Sequence, residues 1–334
     1  MNLWTDMKNR DEIGIALLGF GNVGSGTYEV IEENFTSIKE KVGVKIYVKK
    51  ILVRDLNAGR RVKAPAELLT CNPEDIFKDP SVDIVAELLG GLEPATEYMI
   101  RALDSGKHVV SANKAALAAN LPQLLDAVER SGRVLRYEAA VCGAIPVMDV
   151  IDRALAANKI SGISGIVNGT TNYILTRMGE EAADYASVLA DAQRLGFAEA
   201  DPSGDVEGFD AANKLSLLIW QAFGKYIHPD KIARKGITEL GLADIDAAAL
   251  RGNKIKLIAQ ADDGPEGVEA SVAPREVPAD SFLGRCAGEY NAVQLDCDMA
   301  GPIFLMGKGA GPRPTGSAVV GDIISIARDM RSGV

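Results

Sequence analysis

An α/β chain in two domains is what the sequence predicts, and three observations predict it. Short β-branched runs alternate with longer helical patterns between residues 13 and 150, a GxGxxG string joins the first strand to the first helix, and the texture changes after Pro146. On this pattern the chain divides into a first domain at 1–145, an α+β domain at 146–306, and a terminal loop and helix at 307–334.

The first part interleaves strand and helix patterns: IGIALLGF, NVGSGTYEVIEENF, VKIYVKKILVRD, VDIVAEL, PATEYMIRALDSG, HVVSAN, KAALAANLPQLLDAVERSG and VLRYEAA. Such alternation calls for a parallel sheet with helices on both faces. Pro146 suits the first turn of a helix over PVMDVIDRALAANK. Beyond it, ISGISGIVNG reads as a strand ending in a turn, ADYASVLADAQRLG and AANKLSLLIWQAFG as helices, and VEASVAPREVP and NAVQLDCDM as half-buried strands. The loop GKGAGPRPTG leads into a last amphipathic helix, TGSAVVGDIISIARDM.

Gly19, Phe20, Gly21, Asn22, Val23 and Gly24 form the GxGxxG string between strand and helix, the context that marks a Rossmann-type dinucleotide-binding sheet. Gly19 permits the tight turn, Gly21 lets the backbone approach a pyrophosphate resting on the helix N-terminus, and Gly24 allows close helix–strand packing. After the second strand, Arg54 precedes Asp55, and Arg60, Arg61 and Lys63 follow. A guanidinium there pairs with a 2′-phosphate, which favours NADP; Asp55 on a ribose hydroxyl keeps NAD open. Gly90, Gly91, Ser111 and Lys114 stand at the carboxyl ends of later strands, where these sheets bind ligands, although the two glycines serve a turn equally well.

The composition narrows the field. A formal net charge of −10 over 334 residues argues against a broad nucleic-acid or anionic-membrane surface. MNLWTDMKNRDEIG lacks the apolar core of a signal peptide and no run is apolar enough to span a bilayer, so a cytoplasmic location is expected. Four cysteines without CxxC spacing and two histidines give little basis for zinc or for a Cys/His nucleophile.

EADPSGDVEGFDAANK places Glu199, Asp201, Asp205, Glu207 and Asp210 ahead of Lys214. With a helix starting near Gly208, Asp210 and Lys214 stand four apart on one face, worth ~0.2–0.5 kcal/mol on a surface. In a closed cleft the same pair tunes an amine for proton transfer, since burial weakens its hold on the proton and a carboxylate restores it. Asn168, Gly169 and Thr170, at the entry to NYILTRM, serve helix capping or a substrate carboxylate, and the residues alone leave that choice open.

Taken in order, GFGNVG, ELLGG, SANKAALA, YEAAVCGAIPV, NGTTNYIL, AEADPSGDVEGFDAANKL and GAGPRPTGSAV resemble homoserine dehydrogenase across residues 13–330. The resemblance implies a nucleotide-binding domain, a substrate domain whose sheet forms a homodimer interface, and a terminal helix returning to the first domain. It implies NAD(P)-dependent interconversion of L-homoserine and L-aspartate 4-semialdehyde, on the route to threonine, methionine and isoleucine. Carried over residue by residue, Lys214 becomes the proton donor and Lys114 a second lysine contacting cofactor and substrate. Glu199 holds the substrate ammonium, Asp205 and Asp210 orient substrate and lysines, and Gly169 and Thr170 lie on the substrate side. Gly311 lies in a loop that approaches the cofactor, and Glu138, Val141, Gly143 and Ile145 supply oxygens to a monovalent cation, usually sodium. Asp201 and Glu207 remain loop and surface charges. Phe197 replaces a tyrosine common in the family, and the sequence ends at Val334 without the ACT regulatory domain of several relatives, so a short form is expected. Two rival readings stand beside this one: a phosphorylating semialdehyde dehydrogenase using Cys142, and a non-catalytic dinucleotide sensor.

Overall fold

Strand β1, Glu12–Leu18, is buried from Ile13 onward, as its unbroken apolar run requires of a central strand covered on both faces. The structure, a computed structural model, describes residues 12–332; the opening stretch, and with it the expectation of no signal segment, lies outside them. Contacts divide the chain into one unit of Met1–Ala140 with Gly311–Val334 and a second of Val141–Ala310.

In the first unit, β2 (Lys45–Leu52), β3 (Leu69–Thr70), β4 (Ile84–Glu87), β5 (His108–Ser111) and β6 (Leu135–Arg136) join β1 in a six-stranded parallel sheet. The order β3-β2-β1-β4-β5-β6 reverses direction between β1 and β4, which puts the ligand crevice at their carboxyl ends. Helices α1 (Asn22–Glu33), α2 (Phe35–Val42), α3 (Ala95–Asp104) and α4 (Lys114–Ser131) accompany it, as does the short helix Glu74–Phe77. Helix α4 is capped by Asn113 and kinks at Asn120, two residues before Pro122.

The C-terminal helix, Pro312–Ser332, packs into the same core, with Val319, Ile323 and Ile326 joining Ile15, Leu17, Ile31 and Ile51. At ~1.5–3 kcal/mol per buried aliphatic side chain, this packing outweighs any helix propensity of the segment. Gly26 and Gly316 let the helix press on α1: a Cβ on Gly316 would lie 2.6 Å from the Gly26 backbone.

The second unit carries α5 (Gly169–Glu181), α6 (Tyr185–Arg194), α7 (Phe209–Phe223) and α8 (Leu242–Leu250) with a second six-stranded sheet. Its strands are β7 (Ile160–Ile166), β8 (Ala233–Arg234), β9 (Asn253–Gly264), β10 (Gly267–Pro278), β11 (Tyr290–Cys297) and β12 (Gly301–Lys308), in the order β12-β11-β7-β9-β10-β8. All pairings are antiparallel except β8 with β10. Helices α5, α7 and α8 all rest on β9.

Two local expectations change. The segment after Pro146 is not one regular helix but a short turn, Val147–Asp149, running into a wider π turn, Val150–Ala154, because β-branched valine and isoleucine dominate its start. Strands β9 and β12 carry no clear strand pattern in the sequence, since lysines interrupt the first and glycines bound the second.

Candidate active site

In the first unit the glycine string sits between β1 and α1. Gly19 holds φ 104°, and a Cβ there would strike the Leu88 carbonyl at 2.8 Å. Gly21 is exposed, with open space where a side chain would stand, and α1 has no side-chain cap, so the amides of its first turn are left for an anion. Asn22 is exposed and Val23 half-buried at the helix entrance, while a Cβ on Gly24 would lie 2.2 Å from the Gly19 carbonyl. The three glycines thus meet three different demands.

The basic loop sorts itself by partner. Arg60 turns back onto the carbonyls of Leu56 and Ala58, and Arg61 pairs with Glu29 at 2.7 Å. Asp55 accepts from the Asn57 N–H at 2.8 Å. Arg54 stays exposed and makes no hydrogen bond or ion pair among the described residues.

A buried carboxylate organises the neighbouring strand ends. Glu87, fully buried at the end of β4, accepts from the Ser111 hydroxyl at 2.7 Å and the Leu89 N–H at 2.8 Å. Asn113 completes the set, its Nδ2 donating to the Gly91 carbonyl at 2.7 Å. Burial pushes the Glu87 carboxyl above its ordinary range against the lowering effect of these donors. The exposed turn Gly90–Gly91, at φ 82° and 75°, is thereby tied to Lys114, half-buried as the first residue of α4.

In the second unit, Gly208 at φ 84° turns the chain into α7, which places Asp210 in its first turn and Lys214 one turn on. Both are 8 % exposed, and Lys214 Nζ lies 2.6 Å from Asp210 Oδ2 and 2.8 Å from the Val167 carbonyl. Asn168 binds this group together. Its Nδ2 donates to Asp205 Oδ1 at 2.7 Å and Asp210 Oδ2 at 2.9 Å, while its Oδ1 caps α5 by accepting from the Thr171 N–H at 2.8 Å. Gly169 follows where a Cβ would meet the Glu289 carbonyl at 2.7 Å, and the Thr170 hydroxyl donates to the Phe197 carbonyl at 2.8 Å. Glu199 is exposed nearby in the chain, and Phe197 stacks on Tyr173 with ring centroids 4.7 Å apart.

A dinucleotide sheet joined to a unit with a buried carboxylate–lysine pair narrows the chemistry to a few families. Residues 19–138 match the NAD-binding domain of homoserine dehydrogenase, and residues 146–324 match the homoserine dehydrogenase family itself. The chain belongs to the homoserine dehydrogenase family. The homoserine dehydrogenase of Bacillus subtilis is 39% identical over 322 residues, covering 96% of this chain and 74% of its own. The crystal structure of a homoserine dehydrogenase from Thiobacillus denitrificans superposes with a TM-score of 0.92 at 41% identity, over 96% of this chain and 74% of that one. A hyperthermophilic archaeal homoserine dehydrogenase mutant, solved in complex with NADPH, matches at 26% identity and TM-score 0.80 over 94% of this chain and 97% of its own. As a homoserine dehydrogenase, the chain is an NAD(P)-dependent oxidoreductase that interconverts L-homoserine and L-aspartate 4-semialdehyde in threonine, methionine and isoleucine biosynthesis.

Of the residues that organise these two groups, Glu87 carries no mark in the sequence and Asn168 an ambiguous one. Glu87 is one more charge in ELLGG, flagged only as an acid following the apolar run VDIVA, and Asn168 reads equally as a helix cap or as a holder of a substrate carboxylate. Asp201 accepts from the Ser203 N–H at 3.1 Å, a local loop contact, and Glu207 is exposed. Cys142, the nucleophile of the rival reading, is fully buried at φ 58°. Among the described residues no group of three or more His, Cys, Asp or Glu is placed to hold a metal, and no helix is long and apolar enough to cross a membrane.

Proposed function

We propose that Lys214 is the acid–base residue of the reaction, and the observation that carries this is its burial against Asp210 at 2.6 Å with Asn168 locking the carboxylate. In the reductive direction the bound nicotinamide would supply the hydride to the aldehyde carbon, and the Lys214 ammonium gives the carbonyl oxygen its proton. Oxidation runs the same path backwards, with the neutral amine as base. Asp210 orients the lysine, and Asp205, Gly169 and Thr170 face the substrate. Glu199, whose carboxylate has no partner among the described residues, receives the substrate ammonium. Lys114 is the second lysine, serving cofactor and substrate.

On the cofactor side, Gly19, Gly21, Asn22, Val23 and Gly24 take the pyrophosphate, and Gly90, Gly91, Ser111 and Gly311 line the remainder. The Ser111 hydroxyl is spent on Glu87, so its part is to hold the turn. Arg54, with no internal partner, favours NADP over NAD.

Glu138, Val141, Gly143 and Ile145 offer hard oxygen donors that suit a monovalent cation such as sodium. Consecutive left-handed residues, Cys142 at φ 58° and Gly143 at φ 57°, turn this short segment back on itself, closed by the Ile145 N–H donating to the Cys142 carbonyl at 3.1 Å. The cation would fasten the loop. A homodimer is supported by edge strand β12, where Phe304 and Met306 are 47% and 45% exposed. Four free cysteines accord with the cytoplasm. The deciding experiment measures homoserine-dependent reduction of NADP and NAD side by side, with and without sodium. Turnover with NADP, raised by sodium, is expected; equal rates with both cofactors and no ion effect would remove the roles given to Arg54 and to the cation.

A further inference from the structure

Asn291, in β11, is fully buried, and neither its Oδ1 nor its Nδ2 has a hydrogen-bond partner. Leaving a carboxamide dry and unpaired costs about 1–3 kcal/mol, which a leucine at the same place would not incur. Its surroundings are bare backbone. A Cβ on Gly309 would fall 2.2 Å from Asn291 Cγ, 2.3 Å from Oδ1 and 2.4 Å from Nδ2, so the carboxamide lies flat against that glycine. Gly169 lies on another side, its missing Cβ 3.6 Å from Oδ1. On its far side Gly309 abuts Gly143, whose Cβ would come within 2.4 Å of the Gly309 carbonyl. Ala144 ties the same loop by donating to the Lys308 carbonyl at 3.1 Å.

Enclosed in this way, Asn291 has no surface on which to touch a ligand, so its partners are a buried water or neighbouring chain that moves, and of these only the chain can respond to a bound cofactor. Gly309 and Ala310 are the adjacent candidates: they lie beyond the end of β12, and neither N–H makes a hydrogen bond among the described residues. Without a side chain, Gly309 can also rotate its peptides past Asn291.

We propose that Asn291 is a positioning residue for the loop Gly307–Gly311: when the cofactor engages the loop, its peptide groups turn onto the carboxamide and are held there. This rests on the assignment of Gly311 to the cofactor. The test compares hydrogen exchange over residues 307–311, with and without NADPH, in the wild-type protein, Asn291→Ala and Asn291→Ser, alongside NADPH affinity by fluorescence titration. NADPH is expected to slow exchange of the wild-type loop, and both variants to lose that protection and bind NADPH about tenfold more weakly, the worth of one hydrogen bond. Protection and affinity retained in the variants would overturn the role of Asn291 alone; no protection in the wild type would overturn the assignment of the loop to the cofactor. Gly309→Ala supplies an independent arm, because the three atoms nearest its methyl all belong to Asn291. The double variant Gly309→Ala, Asn291→Ala should bind NADPH no more weakly than Asn291→Ala, and additive losses would count against coupling.

Discussion

Asn168 donates to Asp210 Oδ2 at 2.9 Å, the same oxygen that Lys214 reaches at 2.6 Å. One carboxylate oxygen therefore holds the Lys214 amine while a helix cap holds the carboxylate. Asn168→Ala should lower kcat by up to about 10²-fold, the scale of a misplaced reacting group, and cost ~1 kcal/mol of stability through the lost cap. Asn168→Ser separates the two effects: it keeps a cap acceptor for Thr171 yet is too short to donate to Asp205 and Asp210. Kinetics should be as poor as in the alanine variant while the melting temperature recovers. Full activity in Asn168→Ser would show that capping alone matters.

Lys214→Ala should reduce kcat by about 10²–10⁴-fold, the range for a general acid, with NADPH affinity unchanged. Lys214→Arg should not restore it, because a guanidinium keeps its proton throughout the relevant pH range. Steady-state rates and NADPH titration of both variants check this. A kcat within twofold of wild type for Lys214→Ala would remove the lysine from the chemistry.

Much of this arrangement was legible in the chain. The parallel sheet followed from alternating strand and helix patterns, and the i,i+4 pairing of Asp210 with Lys214 from a helix starting near Gly208, which is the N-cap of α7. Periodicity and turn chemistry are local, so one sequence displays them. Glu87 escaped, and the choice between cap and ligand at Asn168 stayed open, because their meaning lies in partners 24 and 42 residues away. Asn291 escaped for the opposite reason: what sets it apart is having no partner. No local pattern announces a buried group that lacks one.

Arg54→Ala should weaken NADP by about 10–100-fold while leaving NAD nearly unchanged, since a hydrogen bond between charged groups is worth ~1.5–3 kcal/mol. Arg61→Ala is the internal comparison, its guanidinium being occupied by Glu29 at 2.7 Å, and should change the NADP-to-NAD ratio little. Ratios of kcat/KM for the two cofactors decide the matter. An equal drop for both in Arg54→Ala would mean that the residue shapes the loop rather than reading the phosphate.

His108 at the start of β5 gives the first unit an acid-sensitive point. The ring is 8 % exposed, its Nδ1 accepts from the Val134 N–H at 3.2 Å, and its Nε2 is buried without a partner. Burial, then the nearby Arg133 guanidinium, pushes its pKa down from 6.5 to about 4, with Asp329 opposing. A histidine whose folded pKa lies below its unfolded value binds fewer protons folded than unfolded, so stability falls as pH drops from 6.5 towards 4 and levels off below. The full loss is about 3 kcal/mol. His108→Asn keeps an acceptor for Val134 but cannot take up a proton. Urea unfolding at pH 7, 5.5 and 4.5 should therefore show the wild type losing stability relative to the variant through this window, with carboxylate effects common to both cancelling in the difference. Parallel pH profiles would mean that the His108 ring is hydrated or paired in solution and titrates normally.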